Sequence, residues 1–175
     1  MPALALATDP IDPGVLDRPP RPSSAQLADR SMLRGLVLTG GLTAAVSFGA
    51  FAFEMERLGD VVSARNAAFS TLVFAELLRS FGARSDTKLV HEVGLFSNLR
   101  LFAIVTASFG LQIWIHHSPF LGRLFRTEPI SLGHCALLIG LGCIPLLVLE
   151  ARKWARRRRR SLVPSGGVAG SGSTR

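Results

Sequence analysis

Few residues in this sequence have side chains that could do chemistry in an apolar setting, and Glu76 is the strongest of them. It interrupts the mostly apolar stretch 64–83. A carboxylate inside a bilayer costs at least about 2.5 kcal/mol unless other helices, a cation or a proton compensate it. One interpretation is therefore a ligand or proton carrier on a cation path. The other is a structural pair with Arg79 or Ser80, three and four residues further along a helix, and the residues alone leave both open.

Five other residues are weaker candidates for a functional role. Gln112 predicts a hydrogen bond between helices rather than a ligand. His116 and His117 end the same apolar stretch and are predicted to lie at the membrane interface, with an external metal or pH-sensing role as the alternative. Cys135 and Cys143 lie eight residues apart, roughly 80° around a helix, so we expect small packing residues and neither a disulfide nor a metal site.

The amino-acid sequence contains no recognisable catalytic motif. We find no Gly-rich phosphate loop, no His/Cys cluster with metal-ligand spacing, and no nucleophile with a base at useful spacing. The expectation is a chain with no catalytic residue and no bound cofactor.

The elements that must position these residues are apolar helices. Of the 175 residues, 48% are hydrophobic and only 18% are charged, which is more apolar surface than a soluble domain of this size needs. Four apolar stretches are long enough to cross a hydrocarbon core of about 30 Å. They cover residues 32–53, 64–83, 99–117 and 132–150. The sequence thus predicts an all-α membrane protein, a bundle of four transmembrane helices over residues 32–150.

The positions of the basic residues predict the orientation of the bundle. The net charge is +8, and seven basic residues lie together at Arg152, Lys153 and 156–160. Further clusters precede the first span and lie between the second and third. The two remaining connections mix both signs of charge and are predicted to face outward, and Glu54 belongs to the first of them. Because basic residues beside spans stay in the cytoplasm, we predict that both termini are cytoplasmic. The expected location is the plasma (inner) membrane.

The two ends of the chain differ in composition from the bundle. Residues 1–31 hold six of the ten prolines and predict an extended cytoplasmic segment. Residues 151–175 predict a basic tail followed by a disordered Gly/Ser-rich stretch. The run 156–160 is interpreted as an anchor to membrane lipid, and no nucleic-acid partner is expected because the basicity belongs to one short tail.

Several motifs in order resemble the carboxyl-terminal membrane region of P-type cation-transporting ATPases, in the calcium-pump-like branch. They read ARNAAFSTLVFAE at 64–76, GLFSN at 94–98, PFLGRLFRTEPISL at 119–132 and PLLVLEARKW at 145–154. The opening at 2–22 is similar to the cytoplasmic connection that follows the sixth helix of such pumps. The resemblance implies that the four spans correspond to helices seven to ten.

This resemblance favours the ligand interpretation of Glu76, because the eighth helix of sarcoplasmic-type pumps contributes a carboxylate to a cation site. Other pumps of the branch carry an uncharged amide there, so the cation, Ca²⁺ or another, stays open. The family's phosphorylated aspartate and nucleotide-binding domain are missing from this sequence. ATP and Mg²⁺ are thus expected only in a complete pump, and this chain alone is not expected to be an enzyme.

Two classes of function remain open at this point. In the first, the chain is the C-terminal domain or fragment of a cation pump, such as the product of a split gene, and it associates with the remainder of a P-type ATPase. In the second, it is a free-standing four-helix scaffold, regulatory protein or small transporter, in which Glu76 is a structural pair or a proton site.

Overall fold

The computed structural model describes residues 2–7, 30–85, 88–125, 127 and 129–162. Most of the Pro-rich segment and the Gly/Ser-rich end lie outside these ranges. The ordered elements within the ranges are all helical. They are α1 (Pro2–Leu6), α2 (Arg30–Leu58), α3 (Val61–Gly82), α4 (Val90–Val93), a 3₁₀ turn (Leu95–Ser97), α5 (Leu99–His117), α6 (Pro119–Phe125) and α7 (Leu132–Leu162).

Four of these helices are long and apolar enough to cross a membrane, which confirms the predicted all-α four-span architecture. The candidate spans are Met32–Leu58, Val61–Gly82, Leu99–His117 and Leu132–Arg158. Two of them continue past the predicted boundaries. α2 continues to Leu58 and α7 to Leu162. Charged residues stopped the apolar pattern there, but Arg and Glu are good helix formers and do not end a helix.

The short helix α1 packs beside the start of α5. Residues 2–6 form α1, where the sequence predicted an extended segment, because a proline at the first helical position leaves a helix free to begin. Ala5 is buried beside the start of α5. The Asn98 side-chain amide donates a hydrogen bond to the Ala5 carbonyl at 3.1 Å. The start of the chain is thus attached to α5.

α3 is the central helix, since α2, α5 and α7 all pack against it. A two-residue joint connects it to α2. Gly59 adopts a left-handed φ of 67°, which favours glycine, and the Asp60 carboxylate accepts a hydrogen bond from the Ser63 amide at 2.7 Å as the N-cap of α3. This cap lowers the pKa of Asp60, because the Ser63 amide stabilises the carboxylate. The chain therefore reverses direction sharply between α2 and α3.

Apolar packing around α3 centres on Phe74, which is fully buried and stacks against Phe109 of α5 with ring centroids 5.0 Å apart. Leu138 of α7 and Ala50 of α2 belong to the same buried cluster. A Cβ on Gly142 of α7 would meet the Phe74 Cβ at 3.0 Å. The absence of a side chain at Gly142 lets α7 approach the backbone of α3.

The arginine-rich end of α7 is held to neighbouring elements by charged hydrogen bonds. Lys153 donates to the Gly82 carbonyl at the end of α3 and to Glu150, both at 2.8 Å. Arg157 forms a two-bond ion pair with Glu92 of α4, at 2.7 and 2.8 Å. These contacts explain why α7 stays helical beyond the predicted span.

Candidate functional site

The predicted site residue, Glu76, lies on the one face of α3 that its neighbouring helices leave open. Exposed residues recur along this face at Arg65, Phe69, Leu72 and Glu76, spaced by four, three and four positions. Such a spacing places them on one side of a helix. We call this set the open face of α3.

The carboxylate of Glu76 is paired with Arg79, one turn along the same helix. Arg79 Nη2 lies 2.5 Å from Glu76 Oε2, and Arg79 Nε lies 3.3 and 3.2 Å from Oε1 and Oε2. Ser80, the other candidate partner, donates instead to the Leu77 carbonyl at 2.6 Å. Of the two structural pairs left open by the sequence, the structure contains the one with Arg79.

The surroundings of Glu76 limit what it can bind on its own. Its side chain is 45% exposed, and that of Arg79 is 33% exposed. Among the residues that the structure describes, no three His, Cys, Asp or Glu side chains are grouped so that they could hold a metal ion. For Glu76 to bind a cation, Arg79 would have to release at least one carboxylate oxygen.

A second polar group lies inside the bundle, between α3 and α5. The Ser70 hydroxyl lies 2.8 Å from His116 Nε2, and the Gln112 side-chain amide donates to Ser70 Oγ at 3.1 Å. All three residues are buried. Gln112 thus makes the predicted hydrogen bond between helices.

The two histidines that end α5 have different positions. His116 is only 3% exposed, because its contacts with Ser70 and Gln112 bury it against α3, and its position at the membrane interface stays a prediction. His117 is exposed, and its Nδ1 lies 2.9 Å from the Ile113 carbonyl. Ser70 itself carried no sequence signal, since one serine in an apolar helix does not reveal which helix it faces.

The cysteines lie apart from both polar groups. Cys135 is buried and Cys143 half-buried, and both are free thiols. Their burial agrees with the prediction that both cysteines serve as small packing residues.

Glu54 was grouped with the outward connection in the sequence, and the structure corrects this. Glu54 lies within α2 and is 3% exposed. Its Oε1 accepts a hydrogen bond from Arg57 at 2.7 Å, and its Oε2 lies 3.3 Å from His134 Nε2 of α7. The pair borders a cavity of about 260 Å³ that Asn66 of α3 also lines. The connection is therefore only two residues long, and Glu54 joins α2 to α7.

Comparisons with known proteins agree with this architecture. The family described as cation transporting ATPase, C-terminus, matches residues 1–155. Calcium-transporting ATPase 1 of Schizosaccharomyces pombe is 31% identical over 160 residues, which cover 90% of this chain and 18% of the relative. Calcium-transporting ATPase type 2C member 2 of Mus musculus is 32% identical, covering 87% of this chain and 16% of the relative.

A bacterial relative shows the same partial coverage. Calcium-transporting ATPase 1 of Bacillus cereus is 30% identical over 174 residues, 90% of this chain and 19% of the relative. The chain therefore spans less than a fifth of the length of these relatives. With its four membrane helices and a family match over most of its length, the chain is an integral membrane protein that belongs to the cation-transporting ATPase family, of which it represents the C-terminal membrane region.

Proposed function

We propose that this chain is the helical support of an ATP-driven cation pump. In this proposal the open face of α3 packs against the ion-binding helices supplied by the remainder of the pump. Glu76 contributes one ligand to a transported cation, Ca²⁺ or another. ATP and Mg²⁺ bind to the remainder of the pump, and this chain has no catalytic activity of its own.

The observation that supports this proposal is the Glu76–Arg79 ion pair, which lies at the open face of α3, where no other helix of the described chain covers it. Glu76 lies 15 residues from the start of α3 and 6 from its end, or roughly 22 and 9 Å at 1.5 Å per residue. That depth lies within the hydrocarbon core. A carboxylate and a guanidinium there need a polar or protein environment, because lipid chains cannot satisfy them. The open face of α3 therefore needs a protein partner.

The distribution of basic residues supports an orientation for this complex. The arginine-rich end of α7 and the connection between α3 and α5 lie together, since Lys153 donates to the carbonyls of both Gly82 and Lys88. Basic residues of this kind are retained in the cytoplasm. We propose that this end faces the cytoplasm, with both termini on that side, and that the membrane is the plasma (inner) membrane.

Co-expression with a truncated relative tests the supporting role. A calcium pump that lacks its last four helices should regain Ca²⁺-dependent ATPase activity when this chain is supplied in trans. No recovery, with both polypeptides present in the membrane, would contradict the proposal.

The ligand role of Glu76 is tested in the restored complex. Glu76→Gln should weaken apparent Ca²⁺ affinity roughly tenfold, because it removes one anionic oxygen ligand. Glu56→Gln changes an exposed carboxylate at the far end of α2 and should leave the affinity unchanged. Equal affinities in the wild type and Glu76→Gln would refute the ligand assignment while leaving the supporting role intact.

The Glu76–Arg79 pair also supports a second candidate function. Because Arg79 contacts both carboxylate oxygens, the pair is complete within one helix and needs no cation. A free-standing four-helix scaffold or regulatory protein would use it as a structural element. In that case co-expression restores nothing.

A further inference from the structure

The basic residues of α7 fall into two groups with different surroundings. Lys153 and Arg157 lie one turn apart. Lys153 donates to the Gly82 carbonyl of α3 and pairs with Glu150 of its own helix, and Arg157 pairs with Glu92 of α4. Arg152 and Arg156 are also one turn apart but lie about 100° around the helix from that pair. Arg156 is exposed, and Arg152 is half-buried. Within the described part of the chain, only the first group forms ion pairs.

Arg152 points toward the first turns of α2. Its Nη1 lies 3.8 Å from the position that a Cβ on Gly35 would occupy. Arg34, the residue before Gly35, is exposed, and so is Arg30, one turn earlier. α2 starts at this end of the bundle and α7 finishes there, so Arg30 and Arg156 lie one turn further out than Arg34 and Arg152. Two helices thus place four arginines at two matching levels, which we call the arginine groove.

The positive charges of the arginine groove are not neutralised by nearby carboxylates of the described chain. Within the described residues, its four arginines form no ion pair with a carboxylate. Glu150 and Glu92, which the structure describes at this end of the bundle, pair with Lys153 and Arg157 instead. Four guanidinium groups on adjacent helices repel one another, so the site favours an anion that can accept their hydrogen bonds.

The depth of the groove identifies the class of anion. Arg152 lies 20 residues after Leu132, the first residue of α7, which is about 30 Å along the helix. This equals the thickness of the hydrocarbon core, so a helix that begins to cross at Leu132 places Arg152 at the opposite edge of the core, beside the headgroup region. Arg34 lies on the adjoining helix at the same end of the bundle. Exposed apolar residues of α2, including Leu33 and Leu36, adjoin the groove and can contact acyl chains. We propose that the arginine groove binds the headgroup of an anionic phospholipid, with its phosphate between Arg34 and Arg152.

Native mass spectrometry tests this proposal. It measures the affinity of the whole 175-residue chain for phosphatidylglycerol and, for comparison, for phosphatidylcholine. At about 1 kcal/mol per arginine near an anionic lipid, the double variant Arg34→Gln/Arg152→Gln should bind phosphatidylglycerol about thirtyfold more weakly than the wild type. Binding of phosphatidylcholine should change little. Phosphatidylglycerol affinity equal to that of the wild type would overturn the proposal.

Arg157→Gln is the matched control, because it removes one positive charge from the same helix on the side that faces α4. It should lower thermal stability and keep the wild-type affinity for phosphatidylglycerol. A loss of affinity as large as in the double variant would show that total charge, and not the groove, attracts the lipid, and would overturn the proposal. If Arg34→Gln/Arg152→Gln does not fold, Arg30→Gln/Arg156→Gln replaces it, with the same expected direction and the same overturning result.

Discussion

The two sides of α3 that face α7 and α5 are held by different means. Toward α7 the contact is close and apolar, since a Cβ on Gly142 would meet the Ala75 amide nitrogen and the Phe74 Cβ, both at 3.0 Å. Toward α5 a buried hydrogen-bonded group, Ser70, Gln112 and His116, makes the connection. Lipid chains are as apolar as leucine, so the hydrophobic effect cannot favour either contact. Shape therefore fixes one interface of α3, and hydrogen bonding fixes the other.

Phe74→Ala should have the largest effect, because this residue belongs to both interfaces. The side chain is fully buried between Phe109 of α5 and Gly142 of α7. Its removal leaves a large cavity and should lower the free energy of unfolding by about 3–5 kcal/mol. Unfolding by denaturing detergent measures the change. Phe69→Ala, on the open face of α3 at 57% exposure, is the control and should cost far less.

Gly142→Ala should break only the apolar interface. The added Cβ would meet backbone and Cβ atoms of α3, which cannot move as the end of a flexible side chain can. We expect a loss of about 1–3 kcal/mol in the same unfolding measurement. Gly140→Ala introduces the same methyl group two residues away, where no atom lies within 4 Å, and should have little effect. Equal losses in both variants would mean that helix flexibility, and not close approach, explains the result.

Gln112→Leu should affect only the polar interface, and by less. Hydrogen bonds between membrane helices average about 0.6 kcal/mol and rarely exceed about 1.7. Removal of the amide that donates to Ser70 should therefore lower stability by about that average. Ser108→Ala is the matched control, since the Ser108 hydroxyl bonds only to the Ile104 carbonyl of its own helix. A loss larger than that of Gly142→Ala would mean that the hydrogen bonds to α5 stabilise the bundle more than the close contact with α7 does.

The smallest expected effect is a pH-dependent change in thermal stability that arises from the ion pair between α4 and α7. Hydrogen bonds from Arg157 and from the Leu89 amide lower the pKa of Glu92 from 4.5 to about 2. A carboxylate whose pKa is lower in the folded state stabilises the fold above pH 4.5, and that contribution is lost as the pH falls toward 2. The thermal midpoint of the wild type should therefore decrease over this range more than that of Glu92→Gln. Parallel curves for the two proteins would show that the pair is not maintained in solution.

The sequence was sufficient to predict the number of spans and the residue types at their contacts, but not the rotation of each helix. α2 and α5 are apolar around most of their circumference, so their patterns do not indicate which side faces a neighbour. For this reason Gln112 was recognised as an interhelical hydrogen-bond donor while its acceptor Ser70 was not. Glu54 was misplaced because a charged residue near the end of an apolar stretch was taken as the end of the helix.

Glu76 illustrates the same limit for the site. Its type and depth marked it as unusual, and its two possible partners on α3 followed from helical spacing. The choice between them depended on the rotamer of Ser80, whose hydroxyl bonds to the Leu77 carbonyl. Ligands from other helices are contacts between distant parts of a chain, which spacing along one helix cannot predict.

The two-residue joint between α2 and α3 has a consequence for how the protein enters the bilayer. With only Gly59 and Asp60 between them, α2 and α3 cannot be threaded separately across a membrane with a free loop between them. α3 carries Glu76 and two arginines, Arg65 and Arg79, and is less apolar than α2. α2, the more apolar of the two helices, is therefore expected to insert into the bilayer together with α3 as a helical hairpin during synthesis. Insertion of the charged helix α3 then depends on α2, which is translated just before it.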